Sequence, residues 1–267
     1  MKNKVVVVTG ASSGIGKACA WYFAKNGSKV ILAARSLEKL EIIYKEMISQ
    51  GYEVLAVKSD VSIESDCKDL ISKTITRFNR IDVLINNAGI SMRATLEEMD
   101  LSVIKKVMDV NFYGTVFCTK YALPYLLQSN GSVVGVSSIA GYKGLPGRTA
   151  YSASKFAIHG LLESLRLENL KKGLHVLIAC PGFTASNIRN TALSKDGMIQ
   201  KESPRDESKM MTAEMVAEYI YYAVLKRQNS LVLTFNGKLT VLLNKFFPKL
   251  VDRLVYNHLK EEPNSPF

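Results

Sequence analysis

Seven short runs of apolar, mostly β-branched residues recur along the chain, at 4–9, 29–33, 53–57, 83–86, 132–136, 175–179 and 231–234. Between them lie longer stretches with helical apolar spacing, at 16–25, 37–50, 63–78, 102–127 and 151–172. Strands that alternate with helices pair in parallel, because a parallel pair needs a long crossover. The runs are nearly continuous in apolar character, as strands are when helices cover both sheet faces. The expected fold is α/β: a doubly wound parallel sheet of about seven strands with helices on both faces. Ligands bind such sheets at the carboxyl ends of the strands. The 267 residues, 47% hydrophobic, suffice for one sizeable core, so a single domain over 1–267 is expected.

The segment after the first run narrows the ligand. Thr9-Gly10-Ala11-Ser12-Ser13-Gly14-Ile15-Gly16 joins a strand to a helix with glycine spacing G-x-x-x-G-x-G. Glycines permit a tight turn and close approach of a pyrophosphate, and the helix start offers free N–H groups and a positive dipole end. This placement predicts a dinucleotide site. An acidic residue after the second strand would accept the ribose 2′-hydroxyl of NAD. The sequence there is Ala33-Ala34-Arg35-Ser36, without an acid. Arg35 suits a 2′-phosphate through paired, charge-assisted hydrogen bonds, and Ser36 adds a hydroxyl, so NADP(H) is the expected cofactor.

A second constellation carries chemistry. Tyr151 and Lys155 stand four residues apart after a Gly/Pro-rich turn, on one face of an expected helix. A free phenol titrates near ~10 and a free ammonium near ~10.4. An ammonium fixed beside the phenol favours phenolate and would make Tyr151 a usable general acid/base.

These motifs, taken with Asn86-Asn87-Ala88-Gly89 in the same order, resemble the short-chain dehydrogenase/reductase family over about residues 4 to 185. Ser138 lies 13 residues before Tyr151, the family's usual spacing, and Asn111 matches its helix asparagine. Asp60 and Val61 match the adenine-side pair; Pro181, Gly182 and Thr184 match the motif after the sixth strand. The resemblance implies a Rossmann-type fold and a tetrad of Asn111, Ser138, Tyr151 and Lys155. Ser138 would hold the substrate oxygen. Tyr151 would give or take the proton. Lys155 would lower the Tyr151 pKa and bind the nicotinamide ribose. Asn111 would bind a water linking Lys155 to solvent. The resemblance implies cofactor contacts from Gly10, Ser12, Ser13, Gly14, Ile15, Gly16, Arg35, Ser36, Asp60, Val61, Asn87, Ala88, Gly89, Tyr151, Lys155, Pro181, Gly182 and Thr184. The expected reaction interconverts a ketone or aldehyde with an alcohol, on a hydrophobic or lipid-like substrate. The 3-oxoacyl carrier-protein reductases share the core pattern but usually end soon after the last strand. A non-catalytic NADP-binding sensor or scaffold would not need the tetrad.

Two segments depart from the repeating pattern. Residues 185–211 are long and polar and follow the sixth strand, as a lid over a site would. Residues 236–262 read as an amphipathic extension. Leu242, Phe246, Leu250 and Leu254 form one stripe; Leu243, Phe247, Val251 and Val255 form another; Lys245, Lys249, Arg253 and Lys260 lie between, and Pro248 breaks or kinks the helix. This extension could pack on its own domain, on a partner subunit or on an anionic membrane. A homodimer or homotetramer is expected.

The remaining composition limits other classes. Net charge is +11, which suits anionic ligands or surfaces, but there is no Lys/Arg block or RNA-binding aromatic motif to indicate nucleic acid. Cys19, Cys67, Cys118 and Cys180 are scattered, and His159, His175 and His258 are isolated, so no metal site is expected. Reduced thiols, no secretion signal and no long apolar run fit a cytoplasmic protein, with peripheral membrane contact as a further expectation.

Overall fold

The structure is a computed structural model that describes residues 1–200 and 210–267. Seven strands form one sheet: β1 (Val5–Thr9), β2 (Lys29–Ala34), β3 (Val54–Lys58), β4 (Val83–Asn86), β5 (Ser132–Val136), β6 (His175–Cys180) and β7 (Ser230–Val232). Their order is β3-β2-β1-β4-β5-β6-β7, and every pair is parallel. The order reverses between β1 and β4, which opens a crevice at their carboxyl ends.

The continuous valine run of β1 reflects a sheet covered on both sides. Side chains alternate along a strand, so Val6 and Val8 face one helical layer while Val5 and Val7 face the other. The first layer comprises α1 (Gly14–Lys25), α2 (Leu37–Ser49) and α7 (Ala213–Leu225), packing Phe23, Leu40 and Ile220 against Val6 and Val8. The second contains α3 (Glu64–Phe78), α5 (Gly114–Gln128) and α6 (Thr149–Glu168), packing Leu70, Leu126 and Leu162 against Val5 and Val7. Each such buried aliphatic side chain contributes roughly 1.5–3 kcal/mol relative to exposure. Gly135 in β5 lets α6 lie close to the sheet, since a Cβ there would stand 2.3 Å from Leu162 Cδ1.

Buried polar groups pin the amino-terminal edge of the sheet. Asp82 accepts from Val5 N–H at 2.9 Å, Arg80 Nε at 2.8 Å and Lys4 Nζ at 3.0 Å. Burial pushes its carboxyl up, but these donors outweigh burial and hold it below the usual carboxylate range. All four cysteines are free and buried.

Three elements differ from the sequence reading. The helix expected over 102–127 is interrupted: α4 (Leu101–Met108) gives way to a π turn at Asp109–Tyr113 before α5. Strand β7 stops at Val232, because Thr234 takes φ 64° and caps the next helix through Gly237 N–H. The tail is two helices, α8 (Phe235–Phe246) and α9 (Pro248–Lys260), with Pro248 in the first turn of the second. Proline fits there because that turn's N–H groups have no helical acceptor. Of the expected lid, residues 201–209 lie outside the described residues. No helix among the described residues is long and apolar enough to cross a membrane.

Candidate active site

The glycine loop sits at the carboxyl end of β1, beside the switch in strand order. Gly10 has φ 64° and Gly14 φ 51°, a region glycine enters without steric cost. A Cβ on Gly16 would lie 2.3 Å from Gly10 O and 2.4 Å from Asn87 Nδ2, so only glycine fits. Ser13 precedes α1 with no side-chain cap hydrogen bond, which leaves the first N–H groups of α1 for an anion. Asn87 stitches β4 to this loop: its Nδ2 donates to Thr9 O at 2.9 Å and Gly10 O at 3.3 Å. Thr9 Oγ1 accepts from the N–H groups of Asn87 at 3.0 Å and Ala88 at 3.1 Å. An uncapped helix start behind a glycine cradle fits a pyrophosphate.

Arg35 is exposed just past β2, and Ser36 caps α2 by accepting from Lys39 N–H at 3.4 Å. After β3, Asp60 Oδ1 takes Ser62 N–H at 3.0 Å and Ser62 Oγ–H at 2.7 Å, while Val61 is buried. These groups occupy the strand ends on the β2–β3 side.

The chemistry-bearing residues gather on the other side. Ser138 follows β5 and accepts from Ala140 N–H at 3.2 Å, at a 3-10 turn spanning Ile139–Gly141. Tyr151 and Lys155 lie in the opening turns of α6, and the Tyr151 side chain shares the cleft with Ser138. The Lys155 ammonium is buried, donates to Val136 O at 2.9 Å and stands 5.5 Å from the Tyr151 ring centre. Tyr151, Lys155 and Ser138 line one open cleft together with Ile15, Asn87, Gly89, Pro181, Gly182 and Thr184. Ala88 and Asn111 stand behind that lining.

The geometry bears on two of the expected roles. Burial pushes the Tyr151 phenol above its ordinary value; the nearby Ser138 hydroxyl and the charges of Arg148 and Arg189 act against it without reversing it. The net shift is therefore upward, with burial the larger influence. The Lys155 ammonium is directed at Val136 O, and burial pulls its own pKa down to about 8. Asn111 is the other case. Its Oδ1 accepts from Ile90 N–H at 2.8 Å, and its Nδ2 donates to Ile90 O at 3.0 Å and Ser154 Oγ at 2.9 Å. That side chain braces the loop after β4 against α6.

Thr184 Oγ1 turns back onto Gly182 O at 3.2 Å, whereas Ser186 reaches the cleft and lies 3.4 Å from the place of a Gly14 Cβ. The sequence reading missed Ser186, and also Arg148 and Arg189, which line the same cleft. Arg148 was findable, since it stands one helical turn before Tyr151. Behind Ser138, buried His159 Nε2 meets Ser137 Oγ at 2.9 Å, and it lies one turn beyond Lys155 on the same helix.

Residues 4–197 match the short chain dehydrogenase family. The chain is 35% identical to a Dictyostelium discoideum dehydrogenase/reductase SDR family protein 7-like, covering 96% of this chain and 81% of that one. It is 36% identical to the Arabidopsis thaliana protein named 11-beta-hydroxysteroid dehydrogenase 1A, covering 95% of this chain and 76% of that one. A Burkholderia phymatum short chain dehydrogenase/reductase solved with NAD superposes with TM-score 0.84 at 25% identity, over 93% of this chain and 95% of that one. An alcohol dehydrogenase from Thermococcus sibiricus, solved with 5-hydroxy-NADP, superposes with TM-score 0.77 at 27% identity, over 87% of this chain and 96% of that one. The chain therefore belongs to the short chain dehydrogenase family, oxidoreductases that use a nicotinamide cofactor.

Proposed function

We propose that this protein is an NADP-dependent oxidoreductase that interconverts a ketone or aldehyde with an alcohol, with Tyr151 as general acid/base. The observation that carries this reading is the Ser138–Tyr151 pair on the cleft, backed by the buried Lys155. Ser138 holds the substrate oxygen beside the phenol. Tyr151, kept protonated by burial, delivers its proton to the oxygen as the carbonyl is reduced, and accepts one in the reverse direction. Lys155 supplies positive charge beneath the ring that steadies the phenolate left behind. Bound at the glycine loop, the nicotinamide cofactor would supply or accept the hydride. Replacing Tyr151 by Phe should lower kcat/KM for NADPH-driven carbonyl reduction by about 10²–10⁴ with NADPH binding retained. Unchanged turnover in that variant would overturn the mechanism.

Arg35 carries the preference for NADP. The position that would hold an acid for a ribose 2′-hydroxyl holds an exposed guanidinium. Relatives have been solved with cofactors of either kind. An Arg35→Asp variant should lose affinity for NADPH by at least about tenfold while NADH is little affected. Equal losses for both would show that Arg35 does not read the phosphate.

A hydrophobic or lipid-like substrate is supported by Phe183, Ile188 and Leu145 on the cleft and by a relative named as a hydroxysteroid dehydrogenase. The described part of the expected lid borders the cleft of the single domain: Ser186 and Arg189 reach it, and Ala185 N–H bonds Met211 O at 2.9 Å. In the tail, Val251 and Leu259 pack inward, while Leu242, Phe246, Leu250 and Leu254 are each about half exposed or more, at 56%, 66%, 49% and 53%. Lys245, Lys249 and Arg253 flank this stripe, a combination suited to peripheral contact with an anionic membrane, and subunit pairing is the second reading. The full chain should co-sediment with vesicles containing phosphatidylserine, and less so in high salt. Absence of binding at low salt would remove the membrane reading.

A further inference from the structure

Residues 262–267 are docked against the substrate side of the cleft. Glu262 is largely buried, with a side chain 7% exposed. Its carboxylate faces two guanidiniums, Arg93 and Arg148, each at 3.5 Å. Arg93 Nη2 also donates to Pro263 O at 2.6 Å, and Arg148 Nη1 donates to Met92 O at 3.3 Å. Beyond them Pro266 and Phe267 lie over Gly147, where a Cβ would stand 2.9 Å from Pro266 Cγ. Phe267 also meets the Tyr256 ring of α9 at 5.5 Å between centres.

The place of these contacts gives them a consequence. Arg148 lines the cleft and precedes the first turn of α6, one turn before Tyr151. Arg93 lies between two bridges: Met92 pairs with Leu193 of the lid segment, and Ala94 pairs with Arg148. Arg93 N–H itself bonds Leu193 O at 2.8 Å. One carboxylate thus ties the loop after β4, the start of α6 and, through Leu193, the lid. A buried carboxylate between two cations is strongly favoured over the same arginines without it, because each would then lose a charged partner away from water. It also lies near the amino-terminal end of α6, where the helix dipole favours negative charge.

We propose that residues 262–267 form a clasp on the substrate pocket, with Glu262 as a positioning residue that sets Arg148 on the pocket wall beside Tyr151. Glu262 touches neither substrate nor cofactor; it acts through Arg148 and Arg93. The clasp rests on the oxidoreductase reading for its effect on substrate, and on the contacts alone for its docking. The glycine loop and Arg35 lie at the other side of the crevice, so the clasp tunes substrate affinity and leaves cofactor affinity alone.

The test compares the full-length wild type with Glu262→Gln and Glu262→Asp. Three quantities are measured: amide hydrogen exchange with NADPH present, NADPH affinity by fluorescence, and steady-state reduction of decanal and 4-nitrobenzaldehyde. Glu262→Gln should speed exchange at residues 92–94 and 148–152 by about tenfold or more. It should raise KM by about tenfold while kcat and NADPH affinity stay within about threefold. Glu262→Asp should recover most of the loss. Unchanged exchange in Glu262→Gln overturns the docking. Faster exchange with an unchanged KM overturns the positioning role, as does a parallel loss of kcat and NADPH affinity, which would mark general loosening. No turnover of either aldehyde by the wild type would count against the oxidoreductase reading; the exchange measurement would still decide the clasp.

Discussion

A buried ammonium under the cleft is the constraint on which the site depends. Lys155 is 4% exposed and its charge is carried by an interior that gives it one backbone acceptor, Val136 O. Burying an amine this way costs free energy, and the fall of its pKa to about 8 records that cost. Contacts on both sides of α6 seat the helix that carries the amine. Gly135 admits the helix against β5, Ser154 is held by Asn111, and Asn111 is itself set in the π turn between α4 and α5. The π turn is the local departure from regular helix that accompanies this brace, in keeping with where such turns occur.

The same framework divides the crevice into two sides. On one, the strand ends of β1, β2 and β3 present the glycine loop, Arg35 and the Asp60 turn. On the other, β5 and α6 present Ser138 and Tyr151, with Arg148 and Arg189 on the walls. Thr9 and Asn87 couple the two sides where β1 meets β4. Burial raises the Tyr151 phenol, and under the proposed reading this keeps it in the protonated form that carbonyl reduction requires.

The sheet was legible because a strand covered on both faces must be apolar at nearly every position, as in Val5 to Val8. The glycine loop and the Tyr151–Lys155 spacing were legible because each is local: backbone freedom in one case, helical periodicity in the other. What failed depended on distance. The π turn within 102–127 holds Asn111, whose partners Ile90 and Ser154 lie far off in sequence, and periodicity does not encode it. Lys155 was expected to lower the Tyr151 pKa, but burial outweighed charge, and burial is a property of the whole fold. The two tail stripes looked equivalent, yet of their residues only Val251 is buried, and the Glu262 contacts join residues more than a hundred positions apart in sequence.

The central claim is that this cleft brings a carbonyl, a proton from Tyr151 and a cofactor hydride together. Reduction of an aldehyde with NADPH deuterated at the transferring position of the nicotinamide ring tests it most directly. The account predicts that wild-type protein places the deuterium on the carbinol carbon of the alcohol product, and that NADP⁺ forms in equal amount. Oxidation of the cofactor with no deuterium in the alcohol would contradict it.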